Sequence, residues 1–187
     1  FRGIDKSMTL IRSISGIRGT IGGAPGEGLT PVDTVRYTAA FGTLLKQRAD
    51  GGPLRIVLGR DARISGPMVR DLVAGTLAGL GFEVLDLGLA TTPTVEMAVP
   101  GEKAQGGIIL TASHNPAQWN ALKLLNERGE FISVEDGAEV LNIAEADRFD
   151  FAPVEKLGMV REVTGWTRKH IDAIHNLDLV DVEAIKQ

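Results

Sequence analysis

Apolar positions along this chain alternate between two periods. Short near-continuous apolar runs at 54–58, 82–87 and 108–110 read as strands buried on both faces. Between them Val32, Val35, Ala39 and Leu45, and then Met68, Val69, Leu72, Val73, Leu77 and Leu80, recur at helical spacing. The punctuation agrees with the periods. Thr30 is a good N-cap, Pro31 suits the first helical position and Asp33 the first turn. That helix is expected to run to about Ala49, where Asp50-Gly-Gly-Pro53 ends it. Pro67 opens the second helix and Gly81 follows it as a C′ residue. A shorter helix is expected over 94–99, after the loop Gly88-Leu-Ala-Thr-Thr-Pro93.

The flanking segments extend this pattern. Leu10-Ile-Arg-Ser-Ile14 alternates like a strand and runs into Ser15-Gly-Ile-Arg-Gly-Thr20, where two glycines allow a tight turn around Arg18. Residues 121–125 read as a strand, and Asn126-Glu-Arg-Gly129 turns it into 130–132. Ser133 with Asp136 caps a helix to about Asp147. Residues 159–163 suit a last strand and 166–176 a helix. Strand, loop and helix in repetition predict an α/β fold, a mainly parallel mixed sheet with helices on both faces joined by right-handed crossovers. Residues 8–163 form the expected domain. Residues 164–187 are expected to be a linker and the truncated start of a second domain, adding little to the first core. Met8 looks like a natural start, so residues 1–7 are expected to be foreign to the natural chain.

Composition narrows the function classes. The 187 residues are 43% hydrophobic and carry a net charge of −4, which argues against nucleic acid as a partner. Cysteine is absent, so disulfides and thiolate metal sites are excluded. No apolar run approaches the ~20 residues needed to cross a membrane, and residues 1–7 are too short and polar for a signal peptide. A cytoplasmic protein without a membrane partner is expected. No Gly-x-Gly-x-x-Gly, Gly-Lys or Gly-x-Ser-x-Gly motif occurs. His170 and His175 stand about 140° apart around a helix, which suits surface histidines better than zinc ligands. The carboxylates are scattered, with no aspartate cage for a divalent ion.

What remains is phosphate chemistry. The run Ile108–Leu110 leads into Thr111-Ala-Ser-His-Asn-Pro116, so a buried strand delivers a serine, an imidazole and an amide to a sheet edge. Pro116 biases Asn115 away from helix, and open α/β sheets bind ligands at the carboxyl ends of their strands. On spacing alone Ser113 and Asn115 equally suit an ordinary turn. Arg18, Arg60-Asp61, Thr91-Thr92 and Ser113-His114 are each expected to follow a strand and so to gather along one edge. A serine can carry a phosphoryl group, whose charge of about −1.5 to −2 needs cations such as Arg18, Arg60 or Lys123 nearby. Taken alone, Arg18 also fits a solvated turn and Lys123 the wet face of an edge strand.

These motifs together resemble the α-D-phosphohexomutases, the family of phosphoglucomutases, phosphomannomutases and phosphoglucosamine mutases. Thr111-Ala-Ser-His-Asn-Pro116 is similar to that family's phosphoserine loop, and Ser15-Gly-Ile-Arg-Gly19 to its N-terminal Gly-Ile-Arg-Gly loop. Gly59-Arg-Asp-Ala-Arg-Ile-Ser-Gly66 resembles its Gly-Arg-Asp-x-Arg-x-Ser-Gly segment. Asn120-Ala-Leu-Lys123 stands for Asn-Gly-x-Lys, with Ala121 in place of glycine. The resemblance implies that Ser113 is phosphorylated and exchanges its phosphoryl group with a hexose phosphate through a bisphosphorylated sugar. It implies that Lys123 and Arg18 lie near the transferring group and that His114 positions substrate or assists proton transfer. Arg60, Asn115 and Asn120 would bind phosphate or substrate. A phosphate oxygen on Ser113 would ligate Mg²⁺, and a glucose 1,6-bisphosphate-type activator is implied. The family's metal, sugar-reading and distal phosphate loops belong to later domains. The implied partners are therefore a phosphosugar and the remaining domains of the same polypeptide. Two rivals stand beside this reading: a non-catalytic phosphate- or sugar-binding fragment, and a nucleotide-binding α/β domain.

Overall fold

Thr30 starts the first helix as its residue type requires. Its hydroxyl accepts the Asp33 N–H at 3.3 Å while its own N–H donates to the Asp33 carboxylate at 3.1 Å, a reciprocal capping box. The computed structural model describes residues 8–13 and 16–185, so the expectation for residues 1–7, and those for Ile14 and Ser15, lie outside the described residues.

In chain order the elements are β1 (Ile11–Ser13), β2 (Gly16–Thr20), α1 (Pro31–Arg48), β3 (Arg55–Arg60), α2 (Gly66–Gly79), β4 (Glu83–Leu89) and α3 (Thr92–Gly101). They continue as β5 (Gly106–Leu110), β6 (Trp119–Leu125), α4 (Val134–Glu145), β7 (Val160–Glu162), α5 (Trp166–His175) and α6 (Val182–Ile185). The strands form one seven-stranded sheet in the order β1-β2-β6-β5-β3-β4-β7. Pairing is parallel for β5-β3, β3-β4 and β4-β7, and antiparallel for β1-β2, β2-β6 and β6-β5. Only β1 and β6 therefore run against the others, and the mixed α/β sheet predicted from the pattern is present.

Two cores sandwich the sheet. On one face Ile17, Ile56, Leu58, Ile108, Leu110, Leu122 and Leu124 pack under α1, α2 and α4 through Phe41, Leu77 and Val140. On the other, Val57, Leu85, Ile109 and Leu125 meet Val95, Ala98 and Val99 of α3. Each such side chain contributes about 1.5–3 kcal/mol when fully buried. Gly59 and Gly107 let α3 lie close: a Cβ at either would come within 2.4 Å and 2.7 Å of Val95 and Val99 side chains. Val32, expected in the buried stripe of α1, is instead exposed, and Tyr37, Phe41 and Leu44 take the inner face.

The helix α5 adds more than expected. Trp166 is buried in the second core, and its indole N–H donates to Glu102 at 2.8 Å. His170, expected at the surface, is half-buried, and its Nδ1 lies 2.9 Å from the Thr94 hydroxyl. So α5 docks on α3. Among the described residues no helix is long and apolar enough to cross a membrane.

Candidate active site

β5 is buried along its whole length, so the chain emerges from the sheet at Thr111 with little freedom. Thr111 accepts the Ser113 N–H on its hydroxyl at 3.0 Å, and the Asn115 N–H donates to the Ala112 carbonyl at 3.0 Å. Between these bonds Ser113 adopts a φ of +55°, a left-handed conformation. It costs an L-residue roughly 1–2 kcal/mol and persists only where the surroundings impose it. Ser113 and His114 are exposed; Asn115 is half-buried.

The surroundings include an arginine from the neighbouring strand end. Arg63 Nη2 donates to the carbonyls of Ser113 and Asn115, both at 2.8 Å. Its Nη1 donates to those of Pro116 at 2.9 Å and Trp119 at 3.0 Å. Asp61 orients the guanidinium, taking Arg63 Nε at 3.1 Å and the Arg63 backbone N–H at 3.0 Å. The Asp61 N–H in turn donates to Leu110 at 3.1 Å, which binds the loop after β3 to the end of β5.

Beside this loop one sheet face is left to cations. On β2 and β6 the face that α3 covers elsewhere carries Arg18, Ala121 and Lys123, since Arg18 pairs with Ala121 and Lys123 with Ile109. Arg18 and Lys123 are thus diagonal neighbours on adjacent strands, a spacing of about 7–8 Å that long side chains can bridge. Arg18 is exposed; the Lys123 ammonium stands 5.6 Å from the Phe131 ring centroid, a cation–π contact.

Residues 10–151 match the family model for domain I, the alpha/beta/alpha domain, of phosphoglucomutase/phosphomannomutase. The chain belongs to the phosphoglucomutase/phosphomannomutase family. It is 39% identical to a phosphoglucomutase/phosphomannomutase of Thermococcus kodakarensis over 90% of this chain and 37% of that protein. It is 33% identical to a phosphoglucosamine/phosphogalactosamine mutase of Sulfurisphaera tokodaii over 92% of this chain and 36% of that protein. In fold it resembles a phosphoglucomutase/phosphomannomutase family protein of Burkholderia thailandensis, with a TM-score of 0.73 at 24% identity over 96% of this chain and 38% of that one. The chain spans a little over a third of the length of the curated relatives.

Within this phosphohexomutase domain the residues singled out from sequence part company. Arg18, Lys123 and Ser113-His114 lie towards one edge. Arg18, however, sits inside β2 rather than in a loop after a strand. Of the two glycines beside it, Gly16 adopts a φ of +113° after the β1–β2 connection, as a turn requires, whereas Gly19 serves close packing: a Cβ there would lie 2.7 Å from the Leu29 nitrogen. Asn120, expected to bind phosphate or substrate, is fully buried on the opposite face, its amide donating to Ser65 Oγ at 2.9 Å and its Oδ1 accepting the Ala121 N–H. Arg60 also turns to that face, against Gly66, and donates to the Asp61 carbonyl at 3.1 Å. Asn115 enters through its backbone, as an Arg63 acceptor. Arg63 was not singled out from the sequence.

The described residues alone do not assemble a cage for Mg²⁺. Among the described residues no three His, Asp or Glu side chains cluster, and Asp61, the carboxylate tied into this loop, is engaged by Arg63. A serine phosphate oxygen would be one ligand and no more.

Proposed function

We propose that the complete gene product interconverts hexose 1-phosphates and 6-phosphates through a bisphosphorylated sugar, with Ser113 as the phosphoryl carrier. The observation that carries this reading is Ser113 itself. It is an exposed serine held in a left-handed conformation at the end of a buried strand, beside a sheet face that carries the exposed Arg18 and the half-buried Lys123. The family membership supports the same chemistry.

In the forward half-reaction the bond between phosphorus and Ser113 Oγ breaks and a bond to a sugar hydroxyl oxygen forms. The hydroxyl proton passes to Lys123 or His114, and the same group returns it to the serine oxygen, which leaves as the alkoxide. The second half-reaction runs the same exchange from the other sugar oxygen and restores the phosphoserine. Arg18 offsets the charge on the equatorial oxygens, the main requirement of phosphoryl transfer. A phosphate oxygen on Ser113 would be one ligand of a Mg²⁺ ion, which would offset the charge of the transferring group, and a glucose 1,6-bisphosphate-type activator belongs to the same reading. The relatives' names include phosphoglucomutase, phosphomannomutase and phosphoglucosamine mutase, which supports hexose phosphate as the proposed substrate class.

A second reading concerns the 187 residues alone, which span little more than a third of the relatives: they bind phosphate or sugar without turnover. Mutase assays separate the readings. Turnover by the complete gene product that Ser113→Ala abolishes supports the first, and turnover by the 187-residue chain alone sinks the second.

A further inference from the structure

Arg63 belongs to neither the cationic face nor a core, yet every N–H of its guanidinium is used. A guanidinium has five donors in a fixed planar fork. Here Nε meets Asp61, Nη1 meets the carbonyls of Pro116 and Trp119, and Nη2 those of Ser113 and Asn115. Its side chain is only 11% exposed, although the bonds to the Ser113 and Pro116 carbonyls lie at the surface. A loop of seven residues has thus turned four carbonyls inward onto one cation.

That convergence dictates what faces outward. A trans peptide sets its N–H opposite its C=O. With the Ser113 and Pro116 carbonyls on Arg63, the N–H groups of His114 and Ala117 point to the other side. No hydrogen bond to either N–H, or to the Ser113 hydroxyl, is present among the described residues. The left-handed φ of Ser113 is held from both ends, by Thr111 on its N–H and by Arg63 on its carbonyl.

We infer that Arg63, oriented by Asp61, is the positioning residue of the Ser113 loop. It fixes the peptide orientations that present the Ser113 hydroxyl, with the His114 and Ala117 N–H groups, to an incoming phosphoryl group. The inference rests on Ser113 as carrier. It assigns Arg63 no contact with substrate: the arginine's positive charge is directed at backbone carbonyls, and its effect reaches the reaction through geometry. Lysine keeps the charge but replaces a five-donor fork with a single ammonium of three donors, which cannot meet four carbonyls and Asp61 together.

The test uses the complete gene product with hexose phosphate and a hexose bisphosphate activator. Arg63→Lys is expected to lower kcat about 100-fold, the scale of a misplacement of about 1 Å, with KM changed by less than about threefold. Asp61→Asn is expected to lower kcat less, and the double variant to be no slower than Arg63→Lys alone, because the two residues act as a unit. A purely structural role would lower the thermal midpoint and leave kcat of the folded fraction unchanged. That result, or a kcat for Arg63→Lys close to wild type while Ser113→Ala is dead, overturns the inference and leaves the carrier reading standing. Should Arg63→Lys not fold, Asp61→Asn decides the matter on the same criteria. Should Ser113→Ala stay active, the carrier reading fails and Arg63 is judged by amide exchange across residues 113–119. Faster exchange in the variant upholds its hold on the loop, and unchanged exchange overturns it.

Discussion

The side-chain amide of Asn120 in β6 donates to the hydroxyl of Ser65 at the head of α2, at 2.9 Å and out of contact with solvent. Ser65 makes no cap bond to its own helix, so its hydroxyl is committed to the sheet. Asn120→Ala leaves the Ser65 hydroxyl and the Ala121 N–H without these partners and is expected to cost about 2 kcal/mol. Urea denaturation measures it. Unchanged stability with weakened substrate binding would return Asn120 to the binding role its motif suggested.

The docking of α5 makes a second prediction. A Cβ on Gly101 would fall 2.1 Å from Cη2 of Trp166, inside the buried indole. Gly101→Ala is expected to displace the ring and destabilise by roughly 1–3 kcal/mol, the usual range for overpacking. Tryptophan fluorescence shifted to the red, with a lower thermal midpoint, is the expected reading. An unchanged spectrum would mean that α5 does not dock through Trp166.

Acid stability follows from Glu83, which bridges β3 and β7 from β4. Its carboxylate takes Arg161 at 2.9 Å and Arg55 at 3.0 Å. The Arg161 hydrogen bond, against some desolvation and with help from Arg55, holds its pKa below the ordinary 4.5. A depressed carboxylate stabilises above its unfolded pKa and loses that contribution as pH falls through the folded value. Glu83→Gln is therefore expected to lose about 1 kcal/mol at neutral pH, as these bridges are partly exposed. The gap from wild type should close below the ordinary carboxylate range. A gap independent of pH would place the effect in packing.

Much of this was legible beforehand, and the rest failed for identifiable reasons. Thr30, Pro31 and Gly81 placed helix ends because capping is local chemistry. The cationic face was harder, because it depends on register. Nothing local says that Arg18 pairs with Ala121, or that α3 reaches Leu125 of β6 and leaves Arg18, Ala121 and Lys123 outside its core. Asn120 and Lys123 share one motif, yet alternation sends the first into the helix-covered core and the second to the face bearing Arg18. Arg60 and Arg63 were inseparable for the same reason. Arg60 continues the inward alternation of Ile56 and Leu58, whereas Arg63 lies past the strand end, where Asp61 turns it into the Ser113 loop. The spacing Asp61-x-Arg63 was the available signal, and only tertiary structure shows that four carbonyls of a distant segment converge on it. Trp166 was placed on a helix correctly, but its partner is Gly101, whose missing side chain carries no apolar signal.

The diagonal pair on β2 and β6 should share a task. Lys123→Gln is expected to lower kcat about 10²–10⁴-fold, the usual contribution of proton transfer, with little change in thermal stability. Arg18→Ala is expected to fall in the same direction, and the double variant to lose less than the product of the two. Steady-state assays of all three, alongside wild type, decide it. Full additivity would show that the two cations act at separate places.

The central claim is that Ser113 carries the phosphoryl group, and phosphosite mapping of the complete gene product tests it most directly. After incubation with a hexose bisphosphate and digestion, the peptide bearing Ser113 is expected to gain the mass of one phosphoryl group. The gain should disappear on chase with hexose monophosphate as bisphosphate forms, and be absent in Ser113→Ala. A phosphoryl group on another residue, or full mutase turnover with Ser113 unmodified throughout, would contradict the account.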